Sequence, residues 1–400
     1  MKILGINFGK DKVIESVQST PTPNGNYMLD SFKLRYDYSQ PLVNERNISN
    51  GYVYFGADNL YPQELNSLYY TSSLHGAILD FKKLLTAGDG YVLDTSKLSG
   101  MQLIEAKQME TFFSEDQSIS ELLPILAMDY HIHGMIYFEV TWNDDFTKVI
   151  RRKRISPEKM RVGARDANGI TQSYYYCYDW YNRGLYPVKP IPVFDPLNKK
   201  DKVQVWRFSI NSPGQNVYSL PNYVAAANWI NLDGQISNYH KSNIENSVNP
   251  SFLMQFYKKP SGPEEKEQIV NSINAAFGGA SNTGKVMYTF SDGKDLAPTI
   301  TPVQVSNIDK QFATTADQIQ RNILYAHKIN PTLLGFKTPG SLGSGAELPV
   351  AYEVFNKTVI YPAQNDLELI IRKLFRWNGL NVGFKINNVK LDTVSVSKAS

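Results

Sequence analysis

Hydrophobic positions are sparse at first. Residues 1–57, rich in Asn, Ser, Pro and Gly, read as an extended arm with at most short strands. At "DNLYP" the pattern turns helical, with Pro62 placed to open the helix. Leu65, Leu68, Tyr69, Ser72, His75, Ile78, Leu79 and Leu85 then recur at helical spacing until the Gly88–Gly90 stretch stops them. A second helix is predicted over 99–113. A third starts at Ser118, where Glu121 completes a capping box, and ends at Gly134. The period then changes from helical to alternating: "MIYFEVTW" (135–142), "VIRRKRIS" (149–156), "TQSYYYCYDW" (171–180) and "VQVWRFS" (203–209) read as strands separated by Asn, Asp, Gly and Pro turns.

From Pro221 helical spacing returns. Ala225, Trp229, Leu232, Ile236 and Tyr239 form one stripe running to about Asn246. Strands are predicted at "PSFLMQFY", "KVMYTF" and "TITPVQV", with a short helix opening at Pro263 before the second of them. A long helix covers about 307–328, with Ile308, Phe312, Thr315, Ile319, Ile323 and Ala326 on one face. A Gly- and Pro-rich loop follows, and a last long helix spans roughly 349–377. Pro362 offers no N–H to the carbonyl of Thr358, so a kink is expected there. Gly379 caps this helix. No internal repeat is present.

Size and composition narrow the class. A chain of 400 residues holds two or three domains with their own cores. With 42% hydrophobic and 20% charged residues it reads as an ordinary folded protein. The 41 Lys and Arg against 38 Asp and Glu announce no large basic surface. One cysteine, Cys177, excludes an internal disulfide. The apolar run in "MKILGINFGKDKV" is too short for a signal peptide. No apolar segment approaches the roughly 18–20 residues that span a bilayer. The expectation is a soluble protein made inside the cell, with no membrane partner.

Candidate chemistry is thin. "GGASNTGKV" has the G-x-x-x-x-G-K spacing of a phosphate-binding loop at Gly279, Gly284 and Lys285. Such a loop must follow a strand and open a helix, and here the predicted order is reversed. Val286 also stands where a hydroxyl should hold magnesium. A helix cap followed by a turn accounts for the glycines better. Asp129, His131, His133 and Glu139 are metal-capable, but an H-x-H pair at a helix end sends its side chains to different sides. Cys177 lies in an aromatic stretch with no histidine near in sequence and reads as structural. Arg151 to Arg154 could touch nucleic acid, or could be the charges that guard an edge strand. No catalytic residue, metal or cofactor is expected.

Several separated stretches, in one order, together resemble the portal proteins of tailed bacteriophages. "FGADNLYPQELNSLYYTSSLHGAILDFKKLLTAGDGY" (55–91) is similar to the family's N-terminal helix. "YSLPNYVAAANWINLDGQISNYHKSNIENSVNPSFLMQF" (218–256) resembles the first stem helix running into the clip. "FGGASNTGKVMYTF" (277–290) resembles the clip turn and strand, with Gly278, Gly279, Gly284 and Lys285 as the turn. "SNIDKQFATTADQIQRNILYAHKINPTLLGF" (306–336) resembles the second stem helix with its Asn-Pro exit. "GSLGSGAELPVAYEVFNKTVIYPAQNDLELIIRKLF" (340–375) resembles the tunnel loop and the kinked helix beyond.

The resemblance implies an α+β, portal-like fold with an α/β wing, a two-helix stem, a small α/β clip and a kinked long helix toward a minimal crown. The implied parts are an N-terminal arm (1–57), wing (58–220), stem helices (221–245 and 307–328), clip (246–306), tunnel loop (329–348), kinked helix (349–378) and a C-terminal strand and tail (379–400). It implies a homo-oligomeric ring, typically dodecameric, at one vertex of the virion capsid and assembled in the host cytoplasm. Double-stranded DNA would pass through it without sequence readout during packaging and ejection. Implied partners are the terminase large subunit, head–tail connector or adaptor proteins, and the major capsid and scaffolding proteins. Lys337, Thr338, Pro339, Gly340, Ser341, Leu342, Gly343, Ser344 and Gly345 would face the channel. Trp229, Leu232, Ile236, Tyr239, Phe312, Ile319 and Ile323 would pack the stem, and Pro362 would kink the last helix.

Charge is consistent with that implication. Residues 221–328 carry nine acidic and nine basic side chains. Each neutralised phosphate releases counterions and tightens DNA binding, so a conduit through which a duplex slides should make few such contacts. A protein that never meets DNA would be equally balanced. Two other readings therefore remain beside the portal: another virion connector or baseplate protein, and a nucleotide hydrolase built on 279–285.

Overall fold

The computed structural model describes residues 48–114, 117–197, 200–246, 250–256, 262–265, 267–269, 271, 285–290, 299–302, 308–336 and 347–390. Two short strands, β1 (Ile48–Ser49) and β2 (Tyr52–Val53), lead into α1 (Tyr61–Thr71) and α2 (Ser73–Ala87). The single helix expected here is two. Ser72 is extended (φ −105°, ψ 117°), and its hydroxyl accepts from the backbone N–H of His75, capping α2. A serine side chain that competes for backbone donors breaks a helix whose apolar spacing continues unchanged across the break.

Strand β3 (Tyr91–Asp94) and helices α3 (Met101–Thr111) and α4 (Ile119–His133) follow. The expected capping box is present on α4: Glu121 accepts from the Ser118 N–H at 2.8 Å, and the Ser118 hydroxyl accepts from the Glu121 N–H at 3.4 Å. Gly134 closes α4 in the left-handed region (φ 67°, ψ 17°), where a Cβ is disfavoured.

Next come β4 (Met135–Trp142), β5 (Val149–Ile155), β6 (Met160–Val162), β7 (Ser173–Tyr176), β8 (Lys189–Pro192) and β9 (Val203–Ser209). β4 is the centre of an antiparallel sheet ordered β5-β4-β9, and β6-β7-β8 form a second. The nearly unbroken apolar run of β4 has a direct explanation. Met135 and Tyr137 enter one core, while Ile136, Phe138, Val140 and Trp142 enter another. A strand buried on both faces has no polar alternation to show.

Helix α5 (Ala227–Asn246) leads to a mixed sheet in which β10 (Pro250–Phe256) lies between parallel β11 (Lys285–Phe290) and antiparallel β12 (Thr299–Pro302). Helix α6 (Ile308–His327) returns from it. Then α7 (Glu347–Phe355), a five-residue π-helical turn (Asn356–Ile360) and α8 (Tyr361–Arg376) run on without a gap. Pro362 comes just after that π-helical turn, so the widening of the helix falls where the proline ring lacks an N–H. Strand β13 (Gly383–Ile386) pairs with β3, and α8 fills the second core with Leu367, Ile370, Ile371, Leu374 and Phe375. The fold is thus α+β.

Candidate functional site

The two long helices and the sheet between them dominate the second half of the chain. Each has 20 residues, and at about 1.5 Å per residue each is about 30 Å long. Among its described side chains α5 is buried most deeply at its start: Ala227 and Ile230 are enclosed, as is Ala226 just before it, with Trp229, Leu232 and Ile236 packed less completely on the same core. On α6, Ile319 and Ile323 are fully buried, joined by Leu324. The Tyr239 and Phe312 side chains lie outside the described part.

Polar contacts root α5 in the body. The Ser72 hydroxyl, at the break between α1 and α2, donates to Asp233 at 2.7 Å. Next to it, a Cβ on Gly234 would stand 2.0 Å from the Thr71 methyl. Glycine here lets α5 cross the end of α1 at backbone distance. Ile230, Asp233 and Gly234 stand outside the apolar stripe read from the sequence; a glycine in the middle of an otherwise regular helix is the signal that points to the close crossing.

A buried chain of nitrogens roots α6. Lys82 Nζ lies 3.0 Å from His327 Nδ1, and His327 Nε2 lies 2.8 Å from His75 Nδ1. An amine on carbon can only donate when charged. With Lys82 charged, His327 Nδ1 accepts, its Nε2–H donates to His75, and His75 Nε2–H is left without a partner among the described residues. Tyr223 packs edge-on against His75 and stacks on His327, and its hydroxyl donates to the Ile132 carbonyl at 3.0 Å. Burial, reinforced by the positive charge of Lys82, pushes His75 down to about 3 and His327 well below the ordinary histidine value. Burial, then Lys328 nearby, lowers Lys82 to about 7. No carboxylate takes part in this chain of contacts.

Beyond His327, Lys328 adopts a left-handed conformation (φ 56°) and Asn330 caps a short 3₁₀ turn, Pro331–Leu334. Residues 337–345 of the expected channel loop lie outside the described residues. Their two flanks are close together: Lys328 and Asn330 on one side, and Glu347, Val350, Ala351, Val354 and Phe355 on the other, border one cavity of about 460 Å³. Gly278, Gly279 and Gly284 also lie outside the described residues. Lys285 opens β11, a strand, where a phosphate-binding loop requires a helix.

The remaining candidates are dispersed. Asp129 is held from two directions by the Arg154 guanidinium, with Nε at 2.7 Å. His131 meets the Thr86 hydroxyl at 2.8 Å, and Glu139 stands opposite Lys153 in the sheet register. Among the described residues no group of His, Cys, Asp and Glu is arranged to hold a metal. Cys177 is buried just past β7, its thiol directed at the carbonyls of Asp179 and Tyr186, and burial raises its pKa. β5 is an edge strand covered from its own neighbourhood. Arg152 is buried and donates to the Phe113 carbonyl, and the Arg154 N–H donates to the Ser114 hydroxyl. No described helix is long and apolar enough to cross a membrane.

A family model described as phage portal protein matches residues 105–399. No curated protein matches the chain. Among solved structures, a chain from the virion of a native gene transfer agent particle aligns with a TM-score of 0.58 and 18% identity, covering 87% of this chain and 88% of its own. A chain from the neck of the empty particle, computed with C6 symmetry, aligns at 0.57 and 18% identity, covering 83% and 85%. A chain from the native neck, computed with C12 symmetry, aligns at 0.55 and 19% identity, covering 84% and 86%. At such identities the likeness is one of fold.

Proposed function

Because the chain belongs to the phage portal protein family, we propose that copies of it, twelve in number, close into a ring at one capsid vertex of a virion, and that double-stranded DNA is packaged and ejected through the axial hole. The observation that carries this reading is the extent of the family match, 105–399, which takes in both long helices, the sheet between them and the two flanks of the loop. The family is structural, so the work of packaging falls to a separate motor, the terminase, docking on the sheet end of the ring; head–tail connector proteins take that place later.

In this reading residues 221–245 and 307–328 form the wall of the channel, 246–306 the clip, and 58–220 the wing that meets the capsid. The neck geometries of the gene transfer agent chains support a ring, and the nine-to-nine charge balance over 221–328 supports free passage of the duplex. The loop over 337–345 would touch the DNA without reading it.

Electron microscopy of the purified chain tests the ring directly. Annular particles with an open axial hole are expected; solitary or axially closed particles would end this reading. Replacing Gly340 and Gly345 with proline is expected to leave rings intact while packaged DNA per particle falls, read by nuclease-protected DNA. Undiminished packaging would remove the loop from the mechanism.

A further inference from the structure

Away from the long helices, α1, α2, α4 and the turn Pro157–Lys159 after β5 enclose a half-open groove of about 480 Å³. One wall is apolar: Pro124, Ile125 and Met128 on α4. The far end is polar, with His133 and Glu158. Two cations also border the groove, and each already has an anion. Arg154 is occupied by Asp129, and Lys83 lies 2.7 Å from Asp80. Glu158 accepts from the Ser156 hydroxyl, which itself accepts from the Arg154 guanidinium at 3.2 Å, so Arg154 reaches Glu158 through Ser156 rather than in a direct ion pair. His133 is 2% exposed, and its Nδ1 has no hydrogen-bond partner among the described residues.

The end of the groove therefore presents a carboxylate that takes one hydroxyl donor and no ion pair, beside a buried imidazole nitrogen with no partner among the described residues. Burial lowers His133 to about 4, so the ring is neutral and one nitrogen is an acceptor. Burial works to raise Glu158, but the Ser156 hydroxyl and the nearby Arg154 guanidinium outweigh it and hold the carboxyl below its ordinary value. An anion would face this carboxylate at close range. A bare metal ion would find too few ligands, since no metal-binding group of three occurs among the described residues. A cation with several N–H donors on an aliphatic stem satisfies both acceptors and covers the apolar wall with its stem.

We propose that this groove receives the side chain of an arginine or lysine presented by a partner polypeptide, its stem lying along Pro124, Ile125 and Met128 and its charged head between Glu158 and His133. A protein source fits the setting, because Tyr70, 84% exposed, stands on the border of the groove as an aromatic contact for the backbone that carries the side chain. The match is independent of any ring or DNA channel.

The test uses the full chain and 4-aminobenzamidine, an aromatic amidinium whose fluorescence rises on leaving water. Saturable binding is expected, weakened about tenfold by Glu158→Gln, as loss of one charge-assisted hydrogen bond requires. Ile125→Lys, which tethers an ammonium inside the groove, should abolish binding with the melting temperature nearly unchanged. An N-acetylated arginine-containing tripeptide should displace the probe, and its alanine counterpart should not. The proposal is overturned if the probe does not bind, if 4-aminobenzoate binds equally, or if neither substitution alters binding. Displacement by free spermidine but not by the peptide would also overturn it, because the polypeptide source would then be wrong.

Discussion

Two buried cations, Arg161 on β6 and Lys82 on α2, show how differently two regions of this molecule accommodate a charge. Arg161, on β6, is completely buried, yet every face of its guanidinium is used. Nε donates to Asn59 Oδ1 at 2.7 Å, the terminal nitrogens donate to the carbonyls of Asn59, Glu158 and Met160 and to Gln63 Oε1, and the plane lies 4.5 Å from the centre of the Trp180 ring. Burial lowers it only to about 10, so it keeps its charge at neutral pH. Lys82 is nearly as buried, has one neutral histidine for a partner, and falls to about 7. A planar fork can be satisfied by neutral acceptors alone, whereas a point charge without an anion gives up its proton. The surroundings of β6 are locked by a saturated network, and the root of α6 is held by a sparse one.

The strongest way to break this contrast is Arg161→Met. It strands several buried carbonyl and amide acceptors at about 1–3 kcal/mol each, so the variant is expected to fold poorly or to lose most of its stability in chemical denaturation.

Lys82→Met sharpens the other side. Between pH 7, where folded Lys82 loses its proton, and 10.5, where the unfolded lysine does, the unfolded chain binds more protons. This group therefore makes stability rise with pH across that window, by at most about 1.4 kcal/mol per unit. The variant should lose that rise, seen as a flatter plot of melting temperature against pH than the parent's.

Gly234→Ala comes next. Overpacking against Thr71 should cost about 1–3 kcal/mol, partly recovered in the Thr71→Ala background because the methyl at 2.0 Å is gone. A double-mutant cycle measures the coupling. The smallest effect belongs to Ser72→Ala, about 1 kcal/mol from the lost cap of α2, with Asp233 losing a donor as well.

Legibility in the sequence followed range. The α4 capping box, the strands at 135–142 and 203–209 and the two long helices were readable because each depends on residues within one or two turns of one another. The break at Ser72 was hidden, since the apolar spacing of α1 and α2 is in phase across it. The pairing of β13 with β3 joins residues nearly 300 positions apart in "FKI" and "YVL", and no local pattern could announce it. In the groove behind α4, His133 was visible as half of an H-x-H pair, but its neighbour Glu158 arrives from another element.

What the sequence by itself determined is the long helices and the main strands, the family and the neutrality of the 221–328 segment. These depend on local propensity, on patterns spread along the chain and on a count of charges. The tertiary structure alone decided which charges lose their water and which neighbours replace it: Arg161 among carbonyls, Lys82 against His327, Glu158 and His133 facing an open groove. Desolvation depends on what packs around a group in space, and residues far apart in the chain supply that packing.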